Sequence, residues 1–428
     1  MREIPAKRLL NMIKKGDPVR CNRKIIKGDL DIGKLDLPTE NGKLLITSII
    51  EITDSQIYGD VIFANAVFKN DFDKSVDFTK TIFSERANFR STSFCKEANF
   101  VNTEFCNNVN FEEARFCSAV FSGAKLDGYA DFSKAKFYLS AIFDGIQFNN
   151  YANFVEARFN VGASFHWAFF NDYANFSGAR FREKANFNRA RFREDADFRV
   201  ATFENDFSLK ESSFERFHAR WEIIRDHLTY DGAVYLSLIK NFKNLEFFED
   251  ADNCHYQYRR LAQKSKNWYS SPNKNIDLLG KIYEEIVSYP EIVNRDLKSL
   301  CSKYPKFNLS YRFNWSKLCD QISRISCGYG VKILPIILWM IGLSLVFSLF
   351  YYISGGISHT GISETTTKTS NPLNMSDAFY FSTMVLIGKP PTGFNPIGEW
   401  KYLVMAEGFL GYLLLALFVV VLVKRLIR

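Results

Sequence analysis

The chain has 428 residues, enough for two or three domains with real cores. Its net charge of +8 is mild and its basic residues are spread out, which excludes the concentrated basic stripe of a nucleic-acid binder. Phenylalanine is the anomaly: there are 42, and most fall in one regularly spaced block.

Cysteines stand at 21, 95, 106, 117, 254, 301, 319 and 327, and none forms a CxxC pair. The opening MREIPAKRLL has no apolar run of secretory length. A cytoplasmic soluble part with reduced thiols is therefore expected. Cys95, Cys106 and Cys117 recur every eleven residues and read as exposed repeat positions, not as a metal cluster.

Residues 1–62 read as a cap. Ala6–Lys15 has the pattern of an amphipathic helix, and residues 25–32 and 57–63 read as irregular first coils. A repeat rod needs such caps to stay soluble.

Residues 63–214 are the repeat. From Phe78 onward the text runs A-N/D-F-x-x-A-x-F with a short spacer, as in Ala152, Asn153, Phe154, Ala157 and Phe159. Successive phenylalanines are separated alternately by five and six residues. One slip occurs: Phe111, Phe116, Phe121 and Leu126 are evenly spaced by five. Neither a helical period of about 3.6 nor a strand period of 2 explains this. A chain that turns a corner at each step does, and four steps close a coil of 22 residues. Phe132, Phe154, Phe176 and Phe198 then form one inward column, and Phe121, Phe143, Phe165 and Phe187 another. Six or seven such coils would make a rod roughly 30 Å long.

These residues resemble the pentapeptide-repeat family in its phenylalanine-rich form. The resemblance implies a right-handed quadrilateral β-helix with the central apolar residue of each step inside. The extra residue in alternate steps is expected to loosen alternate corners. On the surface, Lys136, Arg158 and Arg180 share a column, and Arg182, Lys184, Arg189, Arg191 and Arg193 lie nearby. Because Glu183, Glu194, Asp195 and Asp197 interleave, a solvated and mutually paired face is expected in preference to a phosphate- or membrane-binding ladder.

Residues 215–330 read as a helical linker. Trp221, Ile224 and Leu228, then Tyr235, Leu236, Ile239, Phe242, Leu245 and Phe248, keep helical spacing. Asp252, Cys254 and His255 lie close together but form no metal-ligand pattern. Residues 266–325 read as a polar connector. Gly328, Tyr329 and Gly330 spell a potassium-filter core, but they precede the first apolar span and read as a hinge.

Residues 331–353 and 402–423 are long and apolar enough to span a bilayer. Arg312, Lys317, Arg324 and Lys332 precede the first, and Lys424, Arg425 and Arg428 follow the second. Both ends are expected on the cytoplasmic side of the inner or plasma membrane. Residues 354–374 read as an external loop. Residues 375–387 form an apolar helix too short to span, expected to be capped by Ser376. Gly388, Lys389, Pro390, Pro391, Thr392, Gly393 and Phe394 follow, and cannot be helical. Such backbone at membrane depth needs protein or water around it.

The stretch from Ala378 through Phe418 resembles the pore module of two-transmembrane potassium-type channels. The filter sequence departs from that family, so the resemblance implies a pore whose selectivity is not the standard potassium type. It implies a homotetramer, a pore helix carrying Phe379, Ser382 and Thr383, and a narrow part lined by residues 388–394. It also implies an inner-helix bend at Gly408 or Gly411, for which close helix packing is the alternative, and a bracing role for Glu407 against a neighbour's pore helix. Lys389 either lines the axis, where four copies would repel cations, or snorkels to the external surface.

The expected fold class is a multidomain α+β membrane protein: N-terminal quadrilateral β-helix, helical linker, and two C-terminal spans with a re-entrant helix and loop. The expected partners are membrane lipids, further copies of the chain, permeant ions, and a cytoplasmic protein or small molecule at the rod. Nucleic acid, cofactor and metal are not expected, and no motif for catalysis is found. The two functions in view are an ion channel with a cytoplasmic gating or docking rod, and a membrane-anchored scaffold that does not conduct.

Overall fold

A computed structural model describes residues 1–69, 74–265, 269–270, 312–313, 315–359 and 374–426. Most of the polar connector, Cys301, most of the external loop and Arg428 lie outside the described residues. The chain forms two compact units, Met1–His255 and Tyr256–Arg428. The expected linker is thus divided: its first part folds with the repeat.

The first unit is a β-solenoid of about 10 turns. One ladder joins Ile4, Ile26, Ile57, Phe83, Phe105, Leu126, Phe148, Phe170, Phe192 and Phe214 in parallel register. Seven of these rungs, Phe83 to Phe214, lie in residues 63–214, as expected of the repeat, and the irregular segment before residue 63 adds Ile4, Ile26 and Ile57. At the usual strand separation this stack is roughly 45 Å long. Four such ladders run along the unit, so each coil is four-sided.

The inside is a stack of rings. Phe154 lies 4.9 Å from Phe132 and 4.8 Å from Phe176, with ring planes within 4° of parallel. It meets Phe143 and Phe165 edge-on at 5.6 and 5.5 Å. Both geometries are preferred ones for aromatic pairs. The alanine two positions before a phenylalanine is buried as well, and only a small side chain leaves room for the rings.

The alternation of five and six has a local cause. At one kind of corner two residues separate Phe from Ala, and the Ala157 N–H donates to the Phe154 carbonyl at 3.1 Å. The third residue of this turn is left-handed: Lys134, Glu156 and Arg189 have φ of 56°, 57° and 60°. That is the signature of a type II turn. The Asn or Asp before the phenylalanine supports it. Asp131, Asn153 and Asn175 accept from the N–H two residues on, at 2.9, 3.2 and 3.0 Å. The other corner holds three residues, such as Asn160, Val161 and Gly162 between Phe159 and Ala163.

The slip is a one-residue deletion at such a corner. Phe94 pairs with Phe116 and Ala98 with Ala119, so Cys117 alone spans the place that Cys95 and Lys96 span in the coil before. The columns continue undisturbed: Phe100 and Phe121 stack at 4.7 Å.

Both ends are covered. Helix α1 (Ala6–Lys15) buries Ala6, Leu9 and Ile13 against the first strands. At the far end α2 (Gly232–Asn244) is capped by Asp231, whose side chain accepts from Ala233 and Val234. It buries Val234, Tyr235, Leu238, Ile239 and Phe242, whereas Leu236, expected on the inner stripe, is exposed. Asn241 closes the open edge of the last coil. Its carbonyl oxygen accepts from the Phe217 N–H at 2.9 Å and its amide donates to the Phe217 carbonyl at 2.8 Å. One side chain thus supplies both bonds the next strand would have made. Asn241→Leu leaves that buried pair unsatisfied. It is expected to cost about 2 kcal/mol in chemical denaturation and to speed amide exchange at Phe217.

Candidate functional site

The second unit holds the residues that the sequence singled out. Helix α3 (Phe248–Ser265) begins in the first unit and ends in the second. Helix α4 (Trp315–Cys327) ends in a turn of three left-handed residues, Gly328, Tyr329 and Gly330. The Tyr329 hydroxyl donates to Gln263 at 3.0 Å and Arg259 lies over its ring. The filter-like triplet is therefore a packed turn before the first span. Helix α5 (Leu334–Ser354), helix α6 (Met375–Leu386) and helix α7 (Trp400–Leu426) follow.

Segments Leu334–Ser354 and Trp400–Val423 are long and apolar enough to cross a membrane. Only 28% and 17% of their most apolar windows are buried within the chain, whereas a soluble core helix is mostly buried. Helix α6 has 12 residues, too few to span. It starts at Met375 after Asn374, and no side chain caps it, so the expected cap at Ser376 is not made.

Helix α6 is held to both long helices by hydroxyls and one carboxyl. Glu407 on α7 is fully buried. It accepts from the Tyr351 hydroxyl of α5 at 2.6 Å and from the Ser382 hydroxyl of α6. Thr383 and Ser344 share a hydroxyl bond of 2.7 Å. Around them Tyr351, Ile357, Ala378, Phe381 and Val385 form an apolar cluster. Glu407 thus ties the short helix of its own chain to both long helices.

Two glycines permit this packing. A Cβ on Gly411 would run into the Leu386 backbone, so α7 touches the end of α6 there. Gly388 is left-handed at φ 82°, and a Cβ would lie 2.6 Å from the Tyr412 hydroxyl. Gly408 is less constrained, 3.8 Å from Val385. Helix α7 runs unbroken through Gly408 and Gly411, so close packing accounts for Gly411.

The loop after α6 is partly tied down. The Lys389 N–H donates to the Met384 carbonyl at 2.8 Å, and its side chain is exposed with that of Pro390. Pro391 is half-buried, Thr392 is exposed, and Gly393 is open and left-handed. Phe394 packs on Phe381, and its backbone pairs with His359 in a short antiparallel ladder of Ile357–His359 with Phe394–Pro396. Phe379 and Thr383 border an apolar cleft of about 330 Å³ with Ile341 and Phe418.

Sequence reasoning missed Tyr351 and Ser344. Both lie in an apolar span where every helical face reads alike, and only their polar atoms could have marked them. In the first unit, Glu104, Cys106 and Asp127 place their ligand atoms within 4.8 Å of one another. The Lys125 ammonium already bridges the two carboxylates, at 3.0 and 2.8 Å. Those hydrogen bonds, to Asp127 first and then Glu104, hold Lys125 above the usual lysine range.

A four-sided β-solenoid joined to a helical unit with two span-length helices is the class of protein these units define. Residues 95–140 and 143–191 each match a family model described as pentapeptide repeats. No curated protein and no solved structure matches the chain. The chain therefore carries pentapeptide repeats in the middle of its solenoid.

Proposed function

We propose that the chain is the subunit of an ion channel in the inner or plasma membrane, assembled as a homotetramer, with its solenoid in the cytoplasm as a docking or gating module. The carrying observation is helix α6. It is too short to span, yet it is fastened between two span-length helices by a buried carboxyl and is followed by a Gly- and Pro-rich loop. That is the arrangement a re-entrant pore loop requires. In this reading residues 388–394 line the narrow part, lipids cover the outer faces of α5 and α7, and the chain performs no catalysis.

Purified protein in planar bilayers is expected to conduct, and Lys389→Asn is expected to shift the reversal potential in asymmetric salt toward cations. Silence from both proteins with oligomers intact by mass measurement would sink the channel reading. A specific observation favours the second reading, a membrane-anchored scaffold. The Phe394–Pro396 backbone pairs with Ile357–His359 of the same chain, which takes up polar groups that a filter would turn toward ions. Silence with intact oligomers is the outcome it predicts.

A further inference from the structure

The solenoid pairs a number of its surface cations across the coils. Arg90 pairs with Glu112 at 3.1 Å, Arg182 with Glu204 at 4.0 Å and Arg189 with Glu211 at 2.7 Å, each one coil further along the chain. Lys125 and Arg199 also have acidic partners. Of the face expected to be mutually paired, Arg182 and Arg189 are paired, whereas Lys136, Arg158 and Arg180 are not.

One column places four unpaired cations in register. Arg115, Lys136, Arg158 and Arg180 stand directly opposite one another on successive coils. Three of the four are exposed and Lys136 is half-buried. None has an ion-pair or hydrogen-bond partner for its side chain among the described residues. Like charges directly opposite on neighbouring strands destabilise a sheet. The column is about 14 Å long at the usual strand separation. Neither acid beside it, Glu113 or Glu156, forms an ion pair with it among the described residues. Glu113 accepts from the Ser91 hydroxyl at 2.9 Å, and Lys134 adds a further cation on the same flank. Lys43 lies at the upper end, hydrogen-bonded to the Ser91 carbonyl. It titrates below the usual lysine range, through burial first and then the charge of Arg115, with Glu113 opposing.

We propose that the Arg115–Lys136–Arg158–Arg180 column is a binding site for a multiply charged phosphate group. Guanidinium groups bind phosphate oxygens in pairs, and uncompensated cations in line favour several phosphoryl groups over one. A wide basic face for double-stranded nucleic acid is absent, because the flanking columns are mixed in charge. The shared chemistry is a chain or cluster of phosphoryls, from a condensed phosphate or from a polyphosphorylated lipid headgroup.

The test uses the full chain in an uncharged detergent, titrated calorimetrically with inorganic tripolyphosphate, with a soluble polyphosphorylated inositol headgroup, and with orthophosphate. At least one polyphosphate is expected to bind saturably, tenfold or more tighter than orthophosphate, and less tightly as salt rises. The tighter of the two names the source. R158Q/R180Q is expected to weaken binding tenfold or more while keeping or raising the melting temperature, since it removes repulsion. R189Q, which loses only a paired cation, is expected to bind within twofold of the parent. No saturable polyphosphate binding, equal affinity for orthophosphate, or unchanged binding in R158Q/R180Q would overturn the assignment. K136Q repeats the test should the double variant not fold.

Discussion

Phe154→Ala is expected to destabilise the solenoid by about 3–5 kcal/mol. The ring is fully buried and touches six others: two stacked, at 4.9 and 4.8 Å, three edge-on, at 5.6, 5.8 and 5.5 Å, and one tilted, at 6.4 Å. The hydrogen-bonded backbone ladders on every side cannot collapse to fill the gap, so the cavity persists. Each coil contacts only its neighbours, so the loss is concentrated at one level of the stack. Amide exchange should rise in the coils carrying Phe132, Phe154 and Phe176 before it rises at the ends. Phe154→Leu is the control. Leu126 already occupies one rung between Phe105 and Phe148, so leucine fits a column, and the expected cost is about 1.5 kcal/mol or less. Equal costs for the two variants would mean that ring stacking, not filled volume, holds the coil.

Glu407→Ala is expected to cost about 3 kcal/mol, read as a fall in melting temperature in detergent. The carboxyl accepts from Tyr351 and Ser382, which lie on the two other helices of the bundle. Truncation leaves two buried hydroxyls without acceptors and opens a cavity where all three helices meet. Glu407→Gln keeps one acceptor oxygen and the volume, so about 1 kcal/mol is expected. Tyr351→Phe with Glu407→Gln should be non-additive by about 1 kcal/mol, because the two groups share one bond. A Glu407→Ala variant melting with the parent would show that apolar packing alone holds α6. Failed conduction in Glu407→Gln with unchanged melting would instead tie the brace to the pore.

The repeat was legible because it is one-dimensional. A residue and its neighbour in the next coil are separated by a nearly constant 22 positions, so pairing can be read by counting. The Asn or Asp before Phe was visible as part of the repeat, but that its side chain closes the tight corner on its own backbone came only from the structure. Before residue 63 insertions break the period. Ile26 pairs across 31 positions, in Ile57, and Ile57 across 26, in Phe83, so no fixed interval reveals those rungs. The candidate site was legible in outline: two long apolar helices, one short helix, a Gly- and Pro-rich loop. Its partners were not, because any residue of an apolar span may face any other helix.

The amino-acid order by itself therefore determined the solenoid, its inward columns and the two apolar helices. All of these follow from local periodicity and the length of apolar runs. Tertiary structure alone decided that Asn241 closes the last coil, that Glu407 joins three helices of one chain, and that Arg158 and Arg180 stand unpaired while Arg182 and Arg189 do not. Each of those outcomes rests on which polar atom lies within about 3 Å of which other, and that distance is set by packing between segments far apart in the chain.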